Sequence, residues 1–211
     1  WFYWQRAIDL GLDLSFEPYF IIIRNEADTM YYGKGNNIIL PGDVIHCDVG
    51  IKYLRLNSDN QHLAYVLKRG ETDVPTGLKS LMAQTNQLQD IFMDEFRRGI
   101  SGNELQQNIL KRGRKEGISS PRIYSHSLGL FLHQPGPLIG LPWEQKNPLP
   151  RGEMLMEYNY AFTMELSTEG LVKEWNNRIV KCGMEEPVVF TKEGCHTQSG
   201  QDFQPPPNWD Q

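Results

Sequence analysis

The sequence predicts an α+β domain, and three observations predict it. Residues 41–67 read as two strands folded back on each other. Residues 78–116 carry two apolar stripes at helical spacing. After Pro121 the chain is dominated by short apolar runs of strand length. A chain of 211 residues makes one large domain or two small ones and can bury a sizeable core. A net charge of −5 and a pI near 5.6 argue against nucleic acid or an anionic membrane as main partner. No apolar run approaches the roughly 18 residues of a membrane span. The chain opens on Trp1, so the expectation is that a native N-terminal segment or domain precedes it. A removed signal peptide stays open, and the cytoplasm is the favoured location. Three distant cysteines, Cys47, Cys182 and Cys195, read as free thiols.

Taken in order, residues 1–14 look like the end of a helix, with Trp1, Trp4, Ala7, Ile8 and Leu12 in phase. Residues 16–23 read as a buried strand that Pro18 pushes to an edge. Residues 25–37 are polar and read as a loop. In the hairpin, a turn at Tyr53–Leu54 would set Asp48 directly opposite Asp59; a turn at Leu54–Arg55 would make them diagonal neighbours on one face. Neither turn has Gly, Asn or Asp at its centre. Residues 78–96 read as a helix. Ser101 to Glu104 is a capping-box pattern that opens a second helix, stopped by Gly117. Residues 123–134 are apolar and carry His126 and His133. Residues 135–151, rich in proline and glycine, read as a long loop. Residues 154–167 read as a strand pair or a bent strand, 179–180 and 187–191 as short strands, and the tail from Gln201 as extended surface chain.

Two like charges on one strand face repel unless a cation lies between them; a solvated surface pair is the plain alternative for Asp48 and Asp59. Singly, His126, Glu165 and Glu185 also have ordinary readings as rim or surface residues. Together these five place one imidazole and four carboxylates in strand-like, partly apolar settings. Such an oxygen-rich nest suits two divalent ions, Mn²⁺, Fe²⁺, Co²⁺ or Zn²⁺, which can hold a bridging water and polarise a carbonyl.

PGDVIHCDVG, NSDNQHLAYV, HSLGLFLHQPG, AFTMEL and EEPVVFTKEG occur in that order. They resemble the ligand segments of the pita-bread metallopeptidases, the family of methionine aminopeptidase, prolidase, aminopeptidase P and creatinase. The resemblance covers about residues 18–200, and is nearest to the Xaa-Pro branch. It implies a pita-bread fold, in which a curved antiparallel sheet carries helices on its outer face in pseudo-twofold halves. It implies two divalent metal ions, manganese favoured. Asp48 would bind one ion and His126 and Glu165 the other, with Asp59 and Glu185 bridging. Glu165 would accept a proton and His133 would bind substrate. The implied activity is dinuclear metal-dependent exopeptidase hydrolysis of Xaa-Pro or N-terminal peptide bonds through a metal-bridging water, on a peptide or dipeptide. A homodimer stays open.

Several positions depart from the family pattern. An upstream histidine is replaced within TMYYGKGN, leaving Tyr31 and Tyr32. The usual Asp-x-Thr-Arg is Asp59-Asn60-Gln61-His62. Gln134 stands for a glutamate and Leu166 for a proline, and the arginine usual before Glu185 is not evident. These changes place substrate choice with Tyr32, His62 and His133. They also keep two alternatives, a hydrolase or lyase of a small non-peptide metabolite and a non-catalytic binding relative. His46 shares a strand face with Asp48 and reads as a supporting residue.

Overall fold

In chain order the elements are α1 (Phe2–Asp9), β1 (Asp13–Leu14), β2 (Tyr19–Ile23), α2 (Glu26–Tyr32), β3 (Val44–Val49), β4 (Ile51–Tyr53), β5 (Leu56–Asn57), β6 (Asn60–Tyr65), α3 (Thr76–Asp94), α4 (Gly102–Lys115), β7 (Arg122–Leu128), β8 (Gln134–Ile139), β9 (Tyr160–Val172), β10 (Arg178–Thr191) and β11 (Gly194–Thr197). The computed structural model describes residues 1–32 and 37–197. Tyr31 and Tyr32 close α2, but their side chains, like the tail from residue 198, lie outside the described residues. The predicted role of Tyr32 therefore has no structural counterpart here.

An eight-stranded antiparallel sheet runs β2-β3-β6-β10-β9-β7-β8, with β11 added to β10. β6 and β10 meet at one register pair, Gln61 with Glu185. The long strands β9 and β10 pair along their whole length. Phe162, Met164 and Leu166 alternate with Thr163 and Glu165 along β9, so one face is apolar and the other polar. The apolar face is covered by α3 and α4. In α3, Leu78, Leu81, Thr85, Leu88, Ile91 and Phe92 recur at helical spacing and are buried. Phe92, Phe162 and Phe190 surround Phe96, with ring centroids 5.1, 5.6 and 5.2 Å away. Ser101 caps α4, its Oγ accepting from the Glu104 N–H at 3.1 Å. Beside β3, Arg24 makes a buried bidentate pair with Asp43, with both contacts at 2.7 Å.

The hairpin takes the second of its two predicted registers. Lys52 pairs with Asn57 and Tyr53 with Leu56, which puts Leu54 and Arg55 in the turn. Both have positive φ, 48° and 70°, so the turn is of the primed kind despite lacking glycine. Asp48 accordingly faces Gln61, with Asp59 two positions along. The tip leaves the main sheet and joins β1 in a separate three-stranded sheet.

Other elements differ from the sequence reading. α1 ends at Asp9, and of its apolar residues only Ala7 is buried, so that stripe is not core. β2 is the edge strand expected, yet Tyr19, Phe20 and Ile21 are exposed. The predicted loop after Asn25 is α2, started by Asn25, whose Oδ1 accepts from the Ala27 N–H. Within the predicted long loop, residues 134–139 form β8; as the last strand of the sheet it tolerates Pro135 and Pro137. The strand expected from 154 starts at Tyr160 and is continuous. The two short strands predicted near the end are one, β10. Pro187 does not break it because it falls between the pairings with β6 at Glu185 and with β11 from Val188. All three cysteines are free and buried.

Candidate metal centre

Successive strands bring one row of side chains into line across the sheet. The register runs Asp48 on β3, Gln61 on β6, Glu185 on β10, Glu165 on β9 and Tyr124 on β7. Paired residues share a face, so three carboxylates 20 to 137 positions apart in sequence become lateral neighbours. Asp59 and His126 complete the group, each two residues from a member of the row. Asp59, His126 and Glu185 are buried, and each offers a ligand atom within 4.8 Å of the others. His126 Nε2 lies 3.7 Å from Asp59 Oδ2. Its Nδ1 is 3.1 Å from the Ser127 carbonyl. A carbonyl only accepts, so Nδ1 carries the proton and the Nε2 lone pair faces the carboxylates.

The electrostatics are those of an uncompensated nest. Burial, then Asp59, pushes the Asp48 carboxyl up to about 6. Burial raises Glu165 to about 7, with Asp59 and Asp48 adding to the rise and the Gln61 amide opposing it. Burial, Asp59, Glu165 and Asp48 hold Glu185 well above the ordinary carboxylate range. Among the described residues, no lysine or arginine forms an ion pair with any of the four carboxylates. Asp48 Oδ1 and Glu185 Oε1 are buried without a hydrogen-bond partner. Orphaned acceptors beside an imidazole lone pair are the donor set a divalent cation requires, so the residues fit such an ion.

The remaining predicted residues fall differently. His133, on the turn after β7, stacks edge-on against His126, with centroids 4.3 Å apart, and so borders the site. Burial, then His126, holds it below the ordinary imidazole value. Gln134 holds that turn, its Oε1 accepting from the Leu130 N–H at 2.8 Å. His62 points the other way. It pairs with Cys47 on the face opposite Gln61, and its ring is 3.8 Å from Glu186 with the side chain half exposed. The predicted substrate contact by His62 is therefore corrected: strand alternation turns it away from the nest. His46 does border it, through Gln61. Sequence reasoning missed Tyr124, which lies opposite Glu165 with its ring 5.4 Å from that of His126. Its place two residues before His126 on one strand was the available signal. Burial, then Glu165 and Glu185, pushes its hydroxyl up to about 12.

Residues 2–192 match the model of a family described as metallopeptidase family M24. No curated protein sequence matches the chain. Among solved structures, X-Pro aminopeptidase from Thermotoga maritima aligns with a TM-score of 0.64 at 18% identity, covering 90% of this chain and 49% of that one. Prolidase from Pyrococcus furiosus gives 0.59 at 18%, covering 90% and 50%. Methionine aminopeptidase from Rickettsia prowazekii gives 0.53 at 18%, covering 75% and 65%. At these identities the likeness is one of fold. The chain spans about half the length of the first two.

Proposed function

This chain belongs to metallopeptidase family M24 and has the pita-bread fold, and from that premise we propose that it is a dinuclear metal-dependent exopeptidase acting on Xaa-Pro or N-terminal peptide bonds. The observation that carries this reading is the cross-sheet row of Asp48, Glu185 and Glu165, with Asp59 and His126 packed against it. In the proposal Asp48, Asp59, His126, Glu165 and Glu185 would hold the ions, and manganese is the favoured metal. Bound there, such ions lower the pKa of water and polarise a carbonyl.

The chain's own residues supply the rest. Glu165, which borders the cleft, would take a proton and return it to the leaving amine. His126 is fixed by its Nδ1–H bond to the Ser127 carbonyl, so its ring cannot swing away. His133, kept neutral by burial and His126, presents an N–H to a substrate carbonyl without adding charge. The Tyr124 hydroxyl stays protonated and can donate on the same side. A cleft of about 40 Å³ lined by Glu165, Tyr124, Gln61, Ser167 and Gly183 borders Glu165, room for a water molecule there.

The test is a panel of Xaa-Pro dipeptides and longer peptides offered to the purified full chain loaded with Mn²⁺ or Co²⁺, with metal counted by mass spectrometry. About two equivalents of metal and release of one terminal residue are expected. Metal-loaded protein that cleaves no member rejects the peptidase reading. Protein that takes up no divalent ion rejects the metal centre itself. Gln61, where the family pattern has threonine, alters the row beside Glu185 and favours one second reading, hydrolysis of a small non-peptide amide on the same centre. Adding such amides to the panel separates the two.

A further inference from the structure

Gln61 lies in the row between Asp48 and Glu185. It is buried, and its amide is used at both ends. Nε2 donates to Glu185 Oε2 at 2.7 Å, while Oε1 lies 3.0 Å from His46 Nε2. The carboxylate accepts from the amide nitrogen, so Oε1 faces His46, and His46 must donate through Nε2–H. A flipped amide would put Oε1 against the Glu185 carboxylate, which would repel it, so the carboxylate sets the amide's direction. The His46 Nε2–H holds Gln61 Oε1 in that orientation, and Gln61 fixes which Glu185 oxygen is occupied. The other oxygen, Oε1, is left buried and without a partner. Gly183 leaves room at this junction: a Cβ there would lie 3.7 Å from His46 Nε2 and 3.9 Å from Gln61 Oε1.

We infer that Gln61 and His46 form a positioning pair that orients Glu185 for divalent-metal binding. The inference rests on the metallopeptidase reading and adds two residues that ligate nothing themselves. Removing an outer partner of a metal ligand typically weakens metal affinity about 10–100-fold.

The experiment is Co²⁺ binding to the EDTA-treated full chain, followed by calorimetry and by the visible absorption of the bound cobalt. Gln61→Met keeps the side-chain length and removes both hydrogen bonds; it should weaken Co²⁺ binding at least about tenfold and change the cobalt spectrum. His46→Phe should shift both in the same direction. The double variant should be no weaker than Gln61→Met alone, because His46 acts only through Gln61. His46→Gln, which retains a donor of similar reach, should restore affinity to within about threefold of the parent. A Gln61→Met protein with parental affinity and spectrum overturns the inference. So do His46 and Gln61 losses that simply add. Should Gln61→Met not fold, the contrast between His46→Phe and His46→Gln decides alone. A parent chain that binds no Co²⁺ instead fails the metallopeptidase reading beneath it.

Discussion

Replacing Glu165 with Gln should make the metal-free protein more stable and the metal-loaded protein inactive. The substitution preserves shape and removes one of the like charges that crowd Asp48, Asp59 and Glu185. The Glu165 carboxyl is raised by burial and its acidic neighbours from 4.5 to about 7. A folded-state pKa above the unfolded one favours the fold at low pH, and that contribution is lost as pH rises through about 7. At about 1.4 kcal/mol per unit the full shift is worth roughly 3 kcal/mol. Partial exposure of the side chain reduces this to roughly 1–2 kcal/mol. Urea unfolding of EDTA-treated protein, followed by circular dichroism at pH 5 and pH 8, measures it. Glu165→Gln should exceed the parent by roughly 1–2 kcal/mol at pH 8 and by a few tenths at pH 5, where the parent carboxyl is protonated. Peptide hydrolysis with Mn²⁺ should fall at least about 100-fold. An equal gap at the two pH values, or a variant less stable than the parent at pH 8, refutes the repulsion argument.

Further outcomes follow from other parts of the molecule. Asp59→Asn should abolish hydrolysis and lower the metal equivalents bound per chain; retained activity in a kinetic assay would mean the ligand set is wrong. Arg24→Leu leaves the Asp43 carboxylate buried without its cation, and should cost about 3–5 kcal/mol in denaturant unfolding at neutral pH, with much of the loss recovered by Asp43→Asn in the same chain. Leu54→Asn and Arg55→Gly place residues suited to positive φ in the hairpin turn, and each should raise stability by about 1 kcal/mol in the same assay. Phe162→Ala removes a fully buried ring beneath the row and should cost about 3–5 kcal/mol, seen as a lowered urea midpoint.

The helices α3 and α4 were legible because their apolar spacing and the Ser101 cap are local signals. The candidate ligand residues were legible as types in order, and the sheet register joins them laterally as strand alternation allows. Two things were not legible. The length of β10 was hidden by Pro187, whose missing N–H costs nothing only because β6 and β11 leave a gap in pairing there. The turn at Leu54–Arg55 was obscured because two ordinary residues adopt a conformation that glycine usually supplies. The face of His62 was legible but unused: it lies three residues from Asp59, so strand alternation opposes the two in either candidate register. The exposed apolar residues of α1 and β2 show the limit of periodicity: Trp1, Phe2 and Trp4 keep helical spacing yet have no core to face.

The single pairing between β6 and β10 has a mechanical meaning. It is the seam between an N-terminal leaf, β2-β3-β6, and a C-terminal leaf, β10-β9-β7-β8. Asp48 and Asp59 stand on one side of that seam, and His126, Glu165 and Glu185 on the other. Without a cation, like charges push the leaves apart where the backbone holds them least. An ion at this place would act as a rivet between them. Backbone amides of β6 beside the seam should then exchange with solvent faster in EDTA-treated protein than after Mn²⁺ is added, while those along the β9–β10 ladder stay protected in both.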